Sequence, residues 1–164
     1  MQSLPSIPSK SIRRRSAGAA LGLALLFTLG CGGGGDDVTI VVLPVYTVDH
    51  SNLSGVVEPV AVVRDDASWA ALWDEHARLV QPPAPRPAVD FRQYMVIGVF
   101  AGARPTPCYD ITISRVYQEP ARTVVEYYQT YQKSNEICAA ITTYPSDIVA
   151  VPRQVTDVVF VALN

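Results

Sequence analysis

The 164-residue sequence predicts an α+β fold, mainly an antiparallel β-sheet with one amphipathic helix packed on it. Two observations carry this. Only one segment, with its apolar stripe running from Trp69 to Leu79, repeats its apolar residues at helical period. Beyond residue 38 the rest of the chain is a series of β-branched and apolar runs, punctuated by Gly, Pro, Asn and Asp. Strands joined by short turns favour antiparallel pairing, and a single helix can cover one face of the sheet.

Residues 1–30 have the pattern of a signal peptide. Lys10, Arg13, Arg14 and Arg15 precede an apolar stretch from Ala17 to Leu29, the order found in export signals. That stretch is shorter than the roughly 20 residues that span a bilayer. Phe27-Thr28-Leu29-Gly30-Cys31 resembles a bacterial lipobox, with Thr28 where a leucine is usual. Its small residue before the cysteine suits a signal peptidase, and the Cys31 thiol is the expected lipidation site. Gly32 to Gly35 and Asp36-Asp37 complete a flexible linker over residues 31–37. Residues 38–164 then form a single domain. The alternative is an ordinary secreted protein with an incidental cysteine.

Within the domain, Val38 to Leu43 reads as a short strand and residues 44–55 as less regular. Val56 to Arg64 reads as a strand that Pro59 confines to an edge or a bulge. Asp65 to Ser68 supply an N-cap and negative charge for the helix start. Trp69, Leu72, Trp73, His76 and Leu79 then form one apolar stripe, with Asp74, Glu75 and Arg78 turned away from it. Pro82, Pro83, Pro85 and Pro87 end the helix and form a stiff connector beneath it. Tyr94 to Ala101 is a continuous apolar run, as in a central strand. Gly102 to Cys108 is a turn-rich loop. Tyr109 to Ser114 alternates, with Tyr109, Ile111 and Ile113 inward. A turn at Glu119-Pro120-Ala121 returns the chain as Arg122 to Tyr131. A polar loop over 132–136, a β-rich stretch over 137–151 and a last strand over 155–163 complete the domain.

Loss of the leader leaves nine Lys and Arg against fifteen Asp and Glu, a net charge of −6. An acidic domain repels phosphate backbones, so nucleic acid is not an expected partner. Membrane attachment falls instead to the lipid anchor, on a protein exported to the bacterial cell envelope, with the outer membrane the expected leaflet system. If Cys31 is lipidated, Cys108 and Cys138 remain as an even pair. An oxidising compartment can join them, for about 3–4 kcal/mol from a loop of about 30 residues. Two buried free thiols are the alternative.

Catalytic chemistry finds little support. Nucleophilic hydrolysis needs a nucleophile, a base and an orienting group, yet the only histidines are His50 and His76 and no G-x-S-x-G elbow occurs. His76 lies on the apolar helix stripe and reads as a packed core histidine; His50 reads as a solvated loop residue. The cysteines are isolated and no histidine pair shares a helix face, so no metal ligand set is expected. The expectation is therefore a non-enzyme with no cofactor.

The ordered pieces Ser68-Trp69-Ala70-Ala71-Leu72-Trp73, the proline-rich break, Val89 to Val96, Gly102 to Thr106 before Tyr109, and Thr143-Tyr144-Pro145 near Ile148 to Pro152 resemble the C-terminal domain of the PrcB family. Its members are also described as protease-complex or protease-stability subunit-like proteins. The resemblance runs over residues 54 to 162. It implies an accessory lipoprotein that associates with a secreted protease, with no catalytic residues to carry over. The chain departs from the family where glycines usually precede the tyrosine of the turn, having Pro107 and Cys108 instead. Proline cannot take the positive φ that glycine allows, so the turn differs, and a Cys108–Cys138 bridge is a device that could fix it.

The candidate partner-binding residues are tyrosines and an arginine. Tyr117, Tyr127, Tyr128 and Tyr131 lie on neighbouring strands of the expected hairpin, and tyrosine gives large contact area with little entropy to lose. Tyr127 and Tyr128 must point to opposite faces. The proline-stiffened loop with Arg104, leading to Tyr109, is a second candidate surface. The expected binding set is Arg104, Tyr109, Tyr117 and Tyr128, on an interaction module for a secreted protease or another envelope protein. An envelope structural lipoprotein, or a small-ligand binder with no protease partner, is the alternative.

Overall fold

The computed structural model describes residues 39–131 and 138–163. The expected signal peptide, Cys31, the whole linker over 31–37 and the expected polar loop over 132–136 lie outside the described residues. Chain order is β1 (Val41–Val42), β2 (Tyr46–Ser51), β3 (Val60–Val63), α1 (Asp66–Ala77), β4 (Tyr94–Phe100), β5 (Tyr109–Gln118), β6 (Arg122–Tyr131), β7 (Ser146–Pro152) and β8 (Asp157–Leu163).

These strands make two four-stranded sheets, ordered β1-β5-β6-β8 and β2-β7-β4-β3. The expected α+β fold built on one sheet is thereby corrected: the chain is mainly β, two sheets with a single short helix. The chain changes sheet between β1 and β2, between β4 and β5, between β6 and β7, and between β7 and β8. Short connections had suggested neighbouring strands of one sheet. Apolarity on both sides of the central strands required two covering layers instead. Six of the seven β4 residues are buried, and so are six of the seven in β7.

One face of the β2-β7-β4-β3 sheet meets the other sheet through Met95, Ile97, Val99, Val149 and Val151, packed on Ile111, Ile113, Val116 and Val125. Its opposite face, with Val96, Phe100 and Ile148, packs on Trp69, Trp73 and Ala77 of α1. Full burial of side chains of this size is worth about 1.5–3 kcal/mol each.

The helix starts where its cap predicts. The Asp65 carboxylate accepts the Ser68 backbone N–H at 2.8 Å and the Ser68 hydroxyl at 2.9 Å. Trp69, Trp73 and His76 are buried as the stripe predicts. Leu79 lies beyond the last helical residue and is exposed, and Ala77 takes the inner position. The proline segment runs alongside α1: Trp69 Nε1 donates to the Pro87 carbonyl at 2.9 Å and Trp73 Nε1 to the Ala84 carbonyl at 3.0 Å.

Other boundaries moved. The first strand shrinks to Val41–Val42, and the segment read as irregular contains β2, bulged between Thr47 and Asp49. The half-buried strand at Tyr109 runs on to Gln118 through a register shift between Ile113 and Arg115. All neighbouring strands pair antiparallel except β6 and β8, which are parallel.

Candidate functional site

The β5–β6 register places Tyr109 opposite Tyr131 at the end of the hairpin, with ring centroids 4.7 Å apart. Arg104 reaches the same spot. Its guanidinium carbon lies 5.9 Å from the Tyr109 ring centroid, and its Nη2 donates to Gln129 Oε1 at 2.7 Å. The loop that delivers Arg104 is fixed in three ways. Arg104 and Thr143 exchange backbone hydrogen bonds of 2.8 and 2.9 Å. The Thr143 hydroxyl donates to the Thr106 carbonyl at 3.0 Å. A Cys108–Cys138 disulfide joins the start of β5 to the segment before β7, realising the expected pairing rather than two free thiols. Gly102, at φ 68°, turns the chain out of β4 into this loop. The positive φ thus sits six residues upstream of Cys108, and Pro107 is spared it.

Tyr117 and Tyr128 lie elsewhere, on the face of the β1-β5-β6-β8 sheet turned away from the core. Tyr117 pairs with Val124 and Tyr128 with Thr112. The Arg115 guanidinium carbon lies 4.9 Å from the Tyr117 ring centroid. Arg115 and Glu126 form a 3.0 Å ion pair at the middle of this face. The Arg115 hydrogen bond holds the Glu126 carboxyl below its usual range, and burial raises the Tyr117 hydroxyl. Tyr128 is exposed beside the outward side chains of β8, whereas Tyr127 packs on the core, so the two point to opposite faces as expected. The four candidate residues therefore form two surfaces: Arg104 with Tyr109 at the end of the sandwich, and Tyr117 with Tyr128 on the outer sheet face.

His50 differs from its reading as a solvated loop residue, whereas His76 is the buried histidine the helix stripe predicts. His50 is half-exposed but engaged: Nε2 lies 3.0 Å from Asp110 Oδ1 and Nδ1 lies 3.4 Å from Asp147 Oδ1. It links β2 and β7 of one sheet to β5 of the other. Asp147 is buried, and burial raises its carboxyl above the usual range despite the Ile113 N–H and His50 beside it. Pairing across β2 and β7 creates this cluster, since His50 lies directly opposite Asp147; nothing in the linear spacing signals it.

His76 Nδ1 lies 3.0 Å from Ser54 Oγ and Nε2 lies 2.9 Å from Asp49 Oδ2. These residue types are those of a hydrolytic triad. However, Ser54 is 2% exposed and its Oγ already accepts the Val56 N–H at 3.2 Å. A nucleophile must reach its substrate, so this arrangement ties the Ser54 turn to α1. The tie continues as Gly55 N–H donates to the His76 carbonyl and Arg78 Nη2 donates to the Gly55 carbonyl, at 3.0 and 2.6 Å.

An open groove of about 350 Å³ is lined by Tyr46, Pro87, Val89, Asp90 and Tyr94. Its one carboxylate, Asp90, is occupied by Arg92 and Gln93 at 3.0 and 2.9 Å, so polar groups do not converge on the space. Among the described residues no group of three or more His, Cys, Asp or Glu is arranged to hold a metal ion, and no helix is long and apolar enough to cross a membrane.

Residues 95–152 match the family model described as PrcB C-terminal. The match starts in β4 and ends at the close of β7, and it contains the Arg104–Tyr109 cluster, the disulfide and the β5–β6 hairpin. No curated protein and no solved structure matches the chain.

Proposed function

We propose, from the match of residues 95–152 to the PrcB C-terminal family model, that this chain is a non-catalytic accessory module that binds a protein partner, with a secreted protease as the partner class. The observation that carries the reading is the clamped Arg104–Tyr109–Tyr131–Gln129 cluster. Arginine and tyrosine dominate the energetics of protein contacts, and a loop already held by a disulfide and by backbone bonds loses little entropy on binding. Export and a lipid anchor on Cys31 belong to the same reading. They rest on the basic-apolar leader, the lipobox-like Leu29-Gly30-Cys31 and the glycine tether. An oxidising compartment is consistent with the Cys108–Cys138 bridge.

The test is affinity capture of the tagged, detergent-solubilised protein from its own membranes, with mass spectrometry of what is recovered. A secreted protease in near-equal amount is expected. Arg104→Ala/Tyr109→Ala should lower its recovery sharply, since loss of a hot-spot side chain weakens binding by about 2 kcal/mol, roughly thirtyfold. Recovery of only other envelope proteins would remove the protease from the reading. Undiminished capture by the double variant would remove the cluster.

A further inference from the structure

Three of the four sheet edges carry a device against further strand pairing. The β1 edge is two residues long, and the β3 edge is four. The β2 edge is bulged between Thr47 and Asp49 and carries Asp49 and His50. Short strands, bulges and charges are the usual means of blunting an edge. The β8 edge is neither short nor bulged, and its one charge, Asp157, stands at its first residue. It runs seven residues, pairs with β6 without a register shift, and contains no Pro, Gly, Lys or Arg. Among the described residues no other strand pairs with it. Its outward side chains Val159, Val161 and Leu163 are 37%, 38% and 40% exposed.

We propose that β8 pairs with β8 of a second copy of this chain, antiparallel across a twofold axis at Phe160. The strand's own pattern selects this occupant. Phe160 is the middle of Asp157–Leu163, so a twofold there sets Val159 against Val161 of the other copy and Val158 against Ala162. Side chains alternate faces along a strand, and this register keeps outward residues opposite outward ones on both copies. The single charge, Asp157, falls opposite Leu163, so no like charges meet across the pair. A twofold contact requires such a self-complementary patch. The product is one eight-stranded sheet whose outer face, with Tyr128 beside Leu163, Glu126 beside Val161 and Val124 beside Val159, is continuous across both copies. One strand per copy gives less contact than the roughly 1,600 Å² of a stable complex. The dimer is therefore weak, with Kd on the order of 10 μM.

Sedimentation velocity of the full-length solubilised chain tests this, over loading concentrations that bracket that Kd. A concentration-dependent dimer is expected. Val159→Lys/Val161→Lys sets lysine against lysine and should leave a monomer with an unchanged circular dichroism spectrum. Val159→Lys/Val161→Glu sets each lysine against the glutamate of the other copy and should restore the dimer. Independently, Val159→Cys/Val161→Cys should form a covalent dimer on mild oxidation. A wild-type chain that stays monomeric, a Lys/Lys variant that still dimerises, a Lys/Glu variant as monomeric as Lys/Lys, or a cysteine variant that does not cross-link would each overturn the proposal. Capture of a protease by the Arg104–Tyr109 cluster is unaffected by these variants, so the two readings stand or fall separately.

Discussion

The Cys108–Cys138 bridge closes a loop with a sequence separation of 30, and its removal has a calculable effect. In the chain-entropy treatment, cross-linking residues this far apart removes about 12 cal/mol/K from the unfolded chain, about 3.6 kcal/mol at 25 °C. Both cysteines are half-buried, so replacing them with serine adds little desolvation of its own. Cys108→Ser/Cys138→Ser should therefore lose about 3–4 kcal/mol in urea unfolding, with a steeper transition because the unlinked unfolded chain exposes more surface. The midpoint temperature should fall by roughly 10–15 °C for a domain of this size. A second consequence is local. The bridge clamps the strand end bearing Tyr109, so the near-ultraviolet circular dichroism of the Tyr109–Tyr131 pair should weaken while the far-ultraviolet signal stays. The reasoning is refuted if oxidised wild type and the double variant differ by less than about 1 kcal/mol, a difference too small for a 30-residue closure.

Further predictions concern the core. Gly55→Ala places a methyl group against the Glu75 carbonyl and the Arg78 side chain, so the variant should lose about 1–3 kcal/mol in urea titration through overpacking. Trp69→Ala empties the largest fully buried position and should cost about 3–5 kcal/mol; calorimetry would read this as a lower midpoint. Burial raises the Asp147 carboxyl above 3.8, so the folded chain holds that proton more tightly than the unfolded chain. The associated stability is present below pH 3.8 and is lost as pH rises through the folded value. Unfolding of wild type measured against Asp147→Asn across that range should show wild type losing ground as pH rises; a pH-independent difference would contradict the assignment.

Local chemistry was legible wherever a residue type has one dominant use. Asp65 capped the helix it precedes, and Trp69 and Trp73 fell on its buried stripe, but the helix ends at Ala77, ahead of the prolines that were expected to stop it. The hairpin from Tyr109 to Tyr131 could be read because its turn and alternation are close in sequence. The strand β2 was missed because no residue of Tyr46–Ser51 is fully buried and it carries Asp49, His50 and a bulge, so its apolar alternation is broken. Arg104 and Tyr109 come together as the loop suggested. Tyr117 and Tyr128 do not join them, because they project from the opposite face of the hairpin.

The sequence alone determined the period of the helix and of most strands, the helix start beside Asp65, and which two domain cysteines were available to pair. These depend on φ/ψ preferences, caps and composition, all of which act over a few residues. Tertiary structure decided how the strands were shared between two sheets, that β8 runs parallel to β6, and that His50 meets Asp147 while His76 meets Asp49 and Ser54. Those outcomes depend on which apolar faces find each other across the whole chain. A strand buried on both sides has the same local sequence whichever sheet covers it.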